Sequence, residues 1–391
     1  MSGLRLTVPV GTRPEVIKLA PVVTALSAAG HQVRCIATGQ HYDPAMYEEI
    51  FAGAGLRPDV IWRLSGTEGE RLGQLLASAF QELAAQPADG ILVLGDTYTA
   101  PLFAMAARRF GVGVIHLEAG LRSQNERSVE EVNRRMMVAL ATVHLAPTRG
   151  AADFLAAEGV PAERVRVVGN PVIDAIVSSG VGIRPLRERA GVLLTAHRAT
   201  NVDSPERLRQ LVDLINALGE RHGPVLMPLH PRTRDRLEQA GWIDEVRSAP
   251  GVQVCEPMPY RELLTALSTS QVVVTDSGGL QEEAAFFGVP AVVMRHSTPR
   301  WEGIASGAAV LTGPDCGRAL AAVQHLTSPA EQVRVAALPC PYGNGRSAEQ
   351  ICRALTDPSL RQLLTPQEPA LIAAPPPPQP LRKRNREFAR R

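Results

Sequence analysis

Short apolar runs alternate with longer stretches of helical period along most of this chain. LRLTVPV, HQVRCIAT, GILVLGD, GVIHLEA, VHLAPT and RVRVVGN are too short for helices and apolar nearly throughout. That is the pattern of strands covered on both faces. Between them, EVIKLAPVVTALSAAG and ERLGQLLASAFQELAAQ carry apolar residues at helical spacing. A βαβα rhythm of this kind predicts a parallel, doubly wound sheet with helices on both sides. The pattern loosens over SSGVGIRPLRERAG and then restarts with GVLLTAH, PVLMPLH, GVQVCEP, QVVVTDS, PAVVMR and AAVLTG. The expected fold is therefore α/β: two Rossmann-like doubly wound domains facing a cleft, spanning 1–178 and 188–345, with the boundary within 175–188.

Composition narrows the class without changing the picture. At 391 residues the chain is long for one core, and 45% hydrophobic with 20% charged residues suits a globular protein. A net charge of +2 makes nucleic acid an unlikely partner for the body of the chain. The five cysteines form no CxxC pair, so neither a zinc cage nor a disulfide framework is expected. The opening MSGLRLTVPVGTRPE has too short an apolar run for a secretory leader, and no stretch approaches a membrane span. A cytoplasmic location is the expectation. The last segment, 366–391, combines a proline run with basic residues and reads as a disordered tail without a catalytic role.

Chemistry-bearing residues recur at strand ends, where open α/β sheets bind ligands. Arg13 follows the first strand, with Lys18 one turn on. Asp96 follows GILVL, Glu118 and Arg122 follow GVIHL, and Asn170 follows RVVG. Glu130 and Glu131 open a helix that also carries Arg135. In the second half His197 and Arg198, His230, and Asp276 with Ser277-Gly278-Gly279 hold equivalent places. TDSGG is the sharpest phosphate signal, because a serine cap and two glycines leave helix-start amides bare. It is neither a Walker A loop nor a GxGxxG fingerprint. Neither His197 nor His230 belongs to an HxxxH or HExxH helix, so no metal site is expected.

GTRPEVIKLAP, TGQH, GDT, HLEAGLRS, EEVNRR, APT, GNPVIDA, TAHR, TDSGGLQEEA and PYGNG, in this order from about Val10 to about Gly345, resemble the non-hydrolysing UDP-N-acetylglucosamine 2-epimerase family. The resemblance implies a glycosyltransferase-B type architecture, with a UDP-sugar in the cleft and a C-terminal helix, 346–365, crossing back to the first domain. It implies a homodimer and no cofactor. The implied reaction inverts C2 by eliminating UDP to 2-acetamidoglucal and adding it back. Asp96, Glu118 and Glu131 take the positions of the catalytic carboxylates, with His197 beside them. Arg13, His197, Ser277 and Gly278 would hold the diphosphate and Glu283 the ribose. Lys18, Arg122, Arg135, Asn170, Arg198, His230 and Gly279 complete the expected substrate contacts. A salt bridge from Glu118 to Arg122 is the plain structural alternative for Glu118.

The chain departs from the family pattern in places. The usual His-Arg-x-Glu-Asn reads His197-Arg198-Ala199-Thr200-Asn201, and Thr-Glu-Arg-Pro-Glu reads Thr298-Pro299-Arg300-Trp301-Glu302. Val129 stands where a proline is usual. Gln40-His41-Tyr42-Asp43 resembles a branch that includes 2-epimerases of UDP-2,3-diacetamido uronic acids, and argues against a second, activating UDP-sugar site. That substrate, a hydrolysing epimerase, a glycosyltransferase and a non-catalytic UDP-sugar sensor remain open alternatives.

Overall fold

The computed structural model describes residues 3–39 and 51–365. Two readings, the Gln40–Asp43 motif and the basic tail, fall outside the described residues.

The first sheet has seven parallel strands in the order β3-β2-β1-β4-β5-β6-β7. They are β1 (Arg5–Val10), β2 (Gln32–Ala37), β3 (Val60–Ile61), β4 (Gly90–Leu94), β5 (Gly113–Leu117), β6 (Val143–Ala146) and β7 (Val165–Val167). The second has six, ordered β10-β9-β8-β11-β12-β13: β8 (Val192–Thr195), β9 (Val225–Pro228), β10 (Val252–Cys255), β11 (Val272–Thr275), β12 (Ala291–Val293) and β13 (Ala309–Leu311). Every run expected as a strand is one. The two-residue β3 escaped because it carries no periodicity to read. β4 and β5 are buried at every position, which explains runs without polar alternation. Strand order reverses between β1 and β4, and again between β8 and β11. Those two crevices face each other.

The chain changes cores twice. The helix Pro171–Ser179 sends Val172, Ile173 and Ile176 into the second core, against Leu264, Leu280 and Phe287. The first crossing therefore lies at Gly169–Asn170, ahead of the loosely patterned 175–188 stretch. The return comes at Gly345–Ser347. Instead of one closing helix there are two, Ser347–Thr356 and Pro358–Gln362, divided at Asp357-Pro358. Their Ile351, Leu355 and Leu360 are fully buried in the first core with Val8, Leu19 and Leu92. Each contributes about 2 kcal/mol of apolar burial. Asp174 accepts from the Ser347 and Ala348 amides at 3.0 and 2.8 Å, so the first crossing caps the helix that begins the second. The crossings touch: the Asn170 amide donates to the Tyr342 carbonyl at 2.8 Å. A Cβ on Gly169, whose φ is +79°, would meet the Ser347 hydroxyl at 2.5 Å. Among the described residues, no helix is long and apolar enough to cross a membrane.

Candidate active site

A cleft of about 430 Å³ lies between the two crevices. A second hollow of about 620 Å³, lined by Phe286, Leu338 and Pro339 among others, has no charged lining and lies away from the converging strand ends.

On the first side, Thr12 and Glu15 open the helix Arg13–Ala28. The Glu15 carboxylate accepts from the Gly11 and Thr12 amides at 2.6 and 3.1 Å and from the Thr97 hydroxyl at 2.6 Å. This ties the loop after β1 to the loop after β4. Burial outweighs those bonds and pushes the Glu15 carboxyl up to about 7. Glu118 sits just past β5 with φ +58°, a conformation unusual for a residue with a Cβ. Its carboxylate lies over Gly95, where a Cβ would approach Oε2 at 3.5 Å. The Glu118 carboxylate is buried and opposed by desolvation, yet Lys18 and Arg300 hold it down at about 2. Lys18 bonds both Glu118 and, at 3.0 Å, Glu282. The Asn170 amide donates at 2.9 Å to each of the same two carboxylates, and Arg300 reaches Glu282 at 2.9 Å. Two cations and two carboxylates thus balance beneath the cleft, drawn from both sheets. His116, kept neutral by burial with its pKa at about 4, meets the Gly95 carbonyl at 2.8 Å and braces the turn before Asp96.

Asp96 lines the cleft and is paired with Arg134. Glu131 does not line it. Its oxygens accept from the Ser123 and Gln124 amides at 2.8 and 3.2 Å and from Arg134 at 2.7 Å. It is buried and saturated, and acts on Asp96 only through Arg134; its neighbour Glu130 faces the cleft instead. Arg122 is also turned away. Its guanidinium is buried against Glu158 at 2.7 and 2.8 Å, which turns it away from the expected substrate contact and rules out the alternative pairing with Glu118. Arg135 is half-exposed, 4.0 Å from Glu131, and is likewise absent from the lining. Asn170 lies behind the lining, between Glu118 and Glu282.

On the second side, Asp276 at the end of β11 is completely buried. It accepts from the amides of His197 at 3.0 Å and Arg198 at 2.9 Å and from Asn201 at 3.0 Å. The His197 Nδ1 is 3.2 Å away, so Asp276 orients the imidazole as well as its loop. Burial lowers the His197 pKa, while Asp276 opposes that shift. The His197 ring stacks on His230 with centroids 5.1 Å apart. Ser277 caps the helix Gly278–Phe287, and Gly278 and Gly279 form its first turn on the cleft wall. Helix-start amides at that point have no partner within the helix and favour an anion. Glu283 lies on the same helix, pushed up to about 7 chiefly by burial, with Tyr260 beside it. Pro257, Met258 and Leu263 give the far end an apolar wall, where Arg13 reaches across to the Met258 carbonyl at 3.2 Å. Arg295 also lines the cleft, lowered to about 9 mainly by burial.

The structure thus brings Arg13, Lys18, Asp96, Glu118, His197, Arg198, His230, Ser277, Gly278, Gly279 and Glu283 to one cleft, and leaves Glu131, Arg122, Arg135 and Asn170 outside its lining. Sequence reasoning missed Glu15, Arg134, Glu282, Arg295 and Arg300. Glu15 was findable, as the third helical residue after Thr12. Arg134, Glu282 and Arg300 are defined by partners far along the chain, and Arg295 is brought to the cleft by its place just past β12.

This geometry matches known proteins over nearly the whole chain. A family model described as UDP-N-acetylglucosamine 2-epimerase matches residues 24–356. A UDP-N-acetylglucosamine 2-epimerase of Methanocaldococcus jannaschii is 34% identical over 368 residues, covering 90% of this chain and 99% of that protein. A UDP-2,3-diacetamido-2,3-dideoxy-D-glucuronate 2-epimerase of Pseudomonas aeruginosa is 36% identical over 321 residues, covering 79% and 88%. The crystal structure of the M. jannaschii protein in complex with UDP-GlcNAc and UDP superposes with a TM-score of 0.82 at 33% identity, covering 90% of this chain and 99% of that one. A second structure of the same protein gives 0.71. With the family model and a relative of 34% identity matching over this length, the chain belongs to the UDP-N-acetylglucosamine 2-epimerase family.

Proposed function

We propose that the chain interconverts UDP-N-acetylglucosamine and UDP-N-acetylmannosamine without net hydrolysis. The observation that carries this reading is that Asp96 and Glu118 stand across one cleft from the Ser277-Gly278-Gly279 helix start. The C2 hydrogen of a 2-acetamido sugar is not adjacent to a carbonyl, so simple deprotonation is costly. Elimination avoids that. A carboxylate takes the C2 proton, the C1–O bond breaks, and UDP departs with the electron pair, leaving 2-acetamidoglucal. A proton then returns to the other face of C2 and UDP re-forms the C1–O bond. Two faces call for two acid–base groups: Glu118, held ionised by Lys18 and Arg300, is the base on one face, and Asp96 on the other relays the returning proton from water. Glu131 is a positioning residue, acting through Arg134. The helix-start amides, Arg13 and His197 take the charge that grows on the departing diphosphate. Glu283 accepts the ribose hydroxyls, and the wall of Pro257, Met258 and Leu263 accepts uracil.

A homodimer and a cytoplasmic setting belong to the same reading. Val129, Val132 and Met136 are 52%, 48% and 40% exposed and share one face of the helix Val129–Leu140. An apolar stripe of this kind suits a second copy. Val132→Glu is expected to convert dimer to monomer in analytical ultracentrifugation.

Proton NMR in deuterated water tests the reaction. UDP-N-acetylmannosamine carrying deuterium at C2 is the expected product from UDP-N-acetylglucosamine. Free N-acetylmannosamine with equimolar UDP would replace the reading with a hydrolysing one.

A further inference from the structure

Three consecutive residues of the second domain, Arg300, Trp301 and Glu302, each touch the first domain at a different point. Arg300 comes within 3.9 Å of the Glu118 carboxylate. The Trp301 indole N–H donates to the Arg122 carbonyl at 2.7 Å. Glu302 accepts from the Thr148 hydroxyl, at the N-terminus of the helix Arg149–Ala157. The middle contact is well anchored on both sides. The Arg122 guanidinium is fixed to Glu158 and to the Leu121 carbonyl, so the acceptor cannot drift. The loop that Trp301 grips leads from Glu118 to Ser123, and Ser123 holds Glu131. One indole therefore ties the second domain to the segment that joins two of the carboxylates. Proline, found at this place in the motif that this segment resembles, has no donor to offer.

We infer that Trp301 is a positioning residue that clasps the domains together while UDP and the unsaturated sugar are separate molecules. The inference rests on the elimination reading. Between loss and return of the C1–O bond nothing covalent holds either fragment, so their retention depends on how long the cleft stays shut. The indole bond lengthens that time without touching either fragment.

Trp301→Phe keeps the ring and removes the donor. Stopped-flow measurement of UDP release is expected to show about a tenfold faster rate, the size of one net hydrogen bond, with the association rate within about twofold. In NMR assays of turnover, the fraction ending as free 2-acetamidoglucal and UDP is expected to rise by a similar factor. A role in packing alone would lower epimerisation and leave both quantities unchanged, and that result would overturn the inference. A wild-type protein that binds UDP but places no deuterium at C2 would sink the elimination reading instead. The UDP release rates of the two proteins would still decide whether the indole acts as a clasp.

Discussion

The two edges that face the cleft are built on opposite plans. On the first sheet, charges satisfy one another: Glu118 with Lys18, and Asp96 with Arg134, which Glu131 holds in turn. On the second, the wall is made of helix-start amides, an imidazole held by a buried aspartate, and Arg295. The first plan suits moving a proton between groups already in place. The second suits receiving an anion from outside. On the proposed function, turnover is expected to depend mainly on the first edge and affinity mainly on the second, with Arg13 reaching over from the first.

Glu118 is where the two plans separate most widely. Glu118→Gln is expected to reduce deuterium incorporation at C2 by about 10³-fold while UDP affinity, measured by calorimetry, stays within a few fold. Equal losses in both would mean that the two edges are not separable. Next comes Glu282, which belongs to the second sheet but completes the charge balance beneath the first. Glu282→Gln leaves Lys18 and Arg300 sharing one carboxylate, and urea unfolding is expected to show about 3 kcal/mol less stability. A loss below about 1 kcal/mol would mean that water already relieves those charges. The smallest effect is the pH dependence of UDP binding. Burial pushes Glu283 of the free protein up to about 7, and in the proposed function the ribose needs its ionised form as acceptor. Affinity should therefore fall about tenfold as pH drops from 8 to 6, and Glu283→Gln should flatten that profile. Burial lowers the His197 pKa while Asp276 opposes that shift, so the Glu283→Gln variant separates the carboxylate's share of the profile from the imidazole's.

The same contrast explains what the sequence made legible. The second edge was readable because its parts are contiguous: Asp276, Ser277, Gly278 and Gly279 form a strand end, a cap and a helix start within four residues. The first edge was readable in its members but not in their pairing. Glu118 meets Lys18, 100 residues away, and Lys18 meets Glu282, 264 residues away. No local period encodes such contacts. Arg122 was expected among the substrate contacts for the same reason: its partner Glu158, 36 residues on, was out of view. Glu131 and Glu130 differ by one residue, and helix rotation alone decides which faces the cleft. Trp301 showed only as a departure from a motif, because its acceptor is a carbonyl 179 residues earlier.

The exchange of closing helices between cores bears on how the chain comes to be made. The first sheet is complete by Val167, but Ile351, Leu355 and Leu360, which seal it, are translated some 180 residues later. At ordinary elongation rates that interval lasts on the order of ten to thirty seconds. During it the whole second domain emerges from the ribosome while the first carries an uncovered apolar seam. Neither half is a self-sufficient piece, so expressing the domains separately, or stopping the chain near Gly345, leaves a seam that invites aggregation.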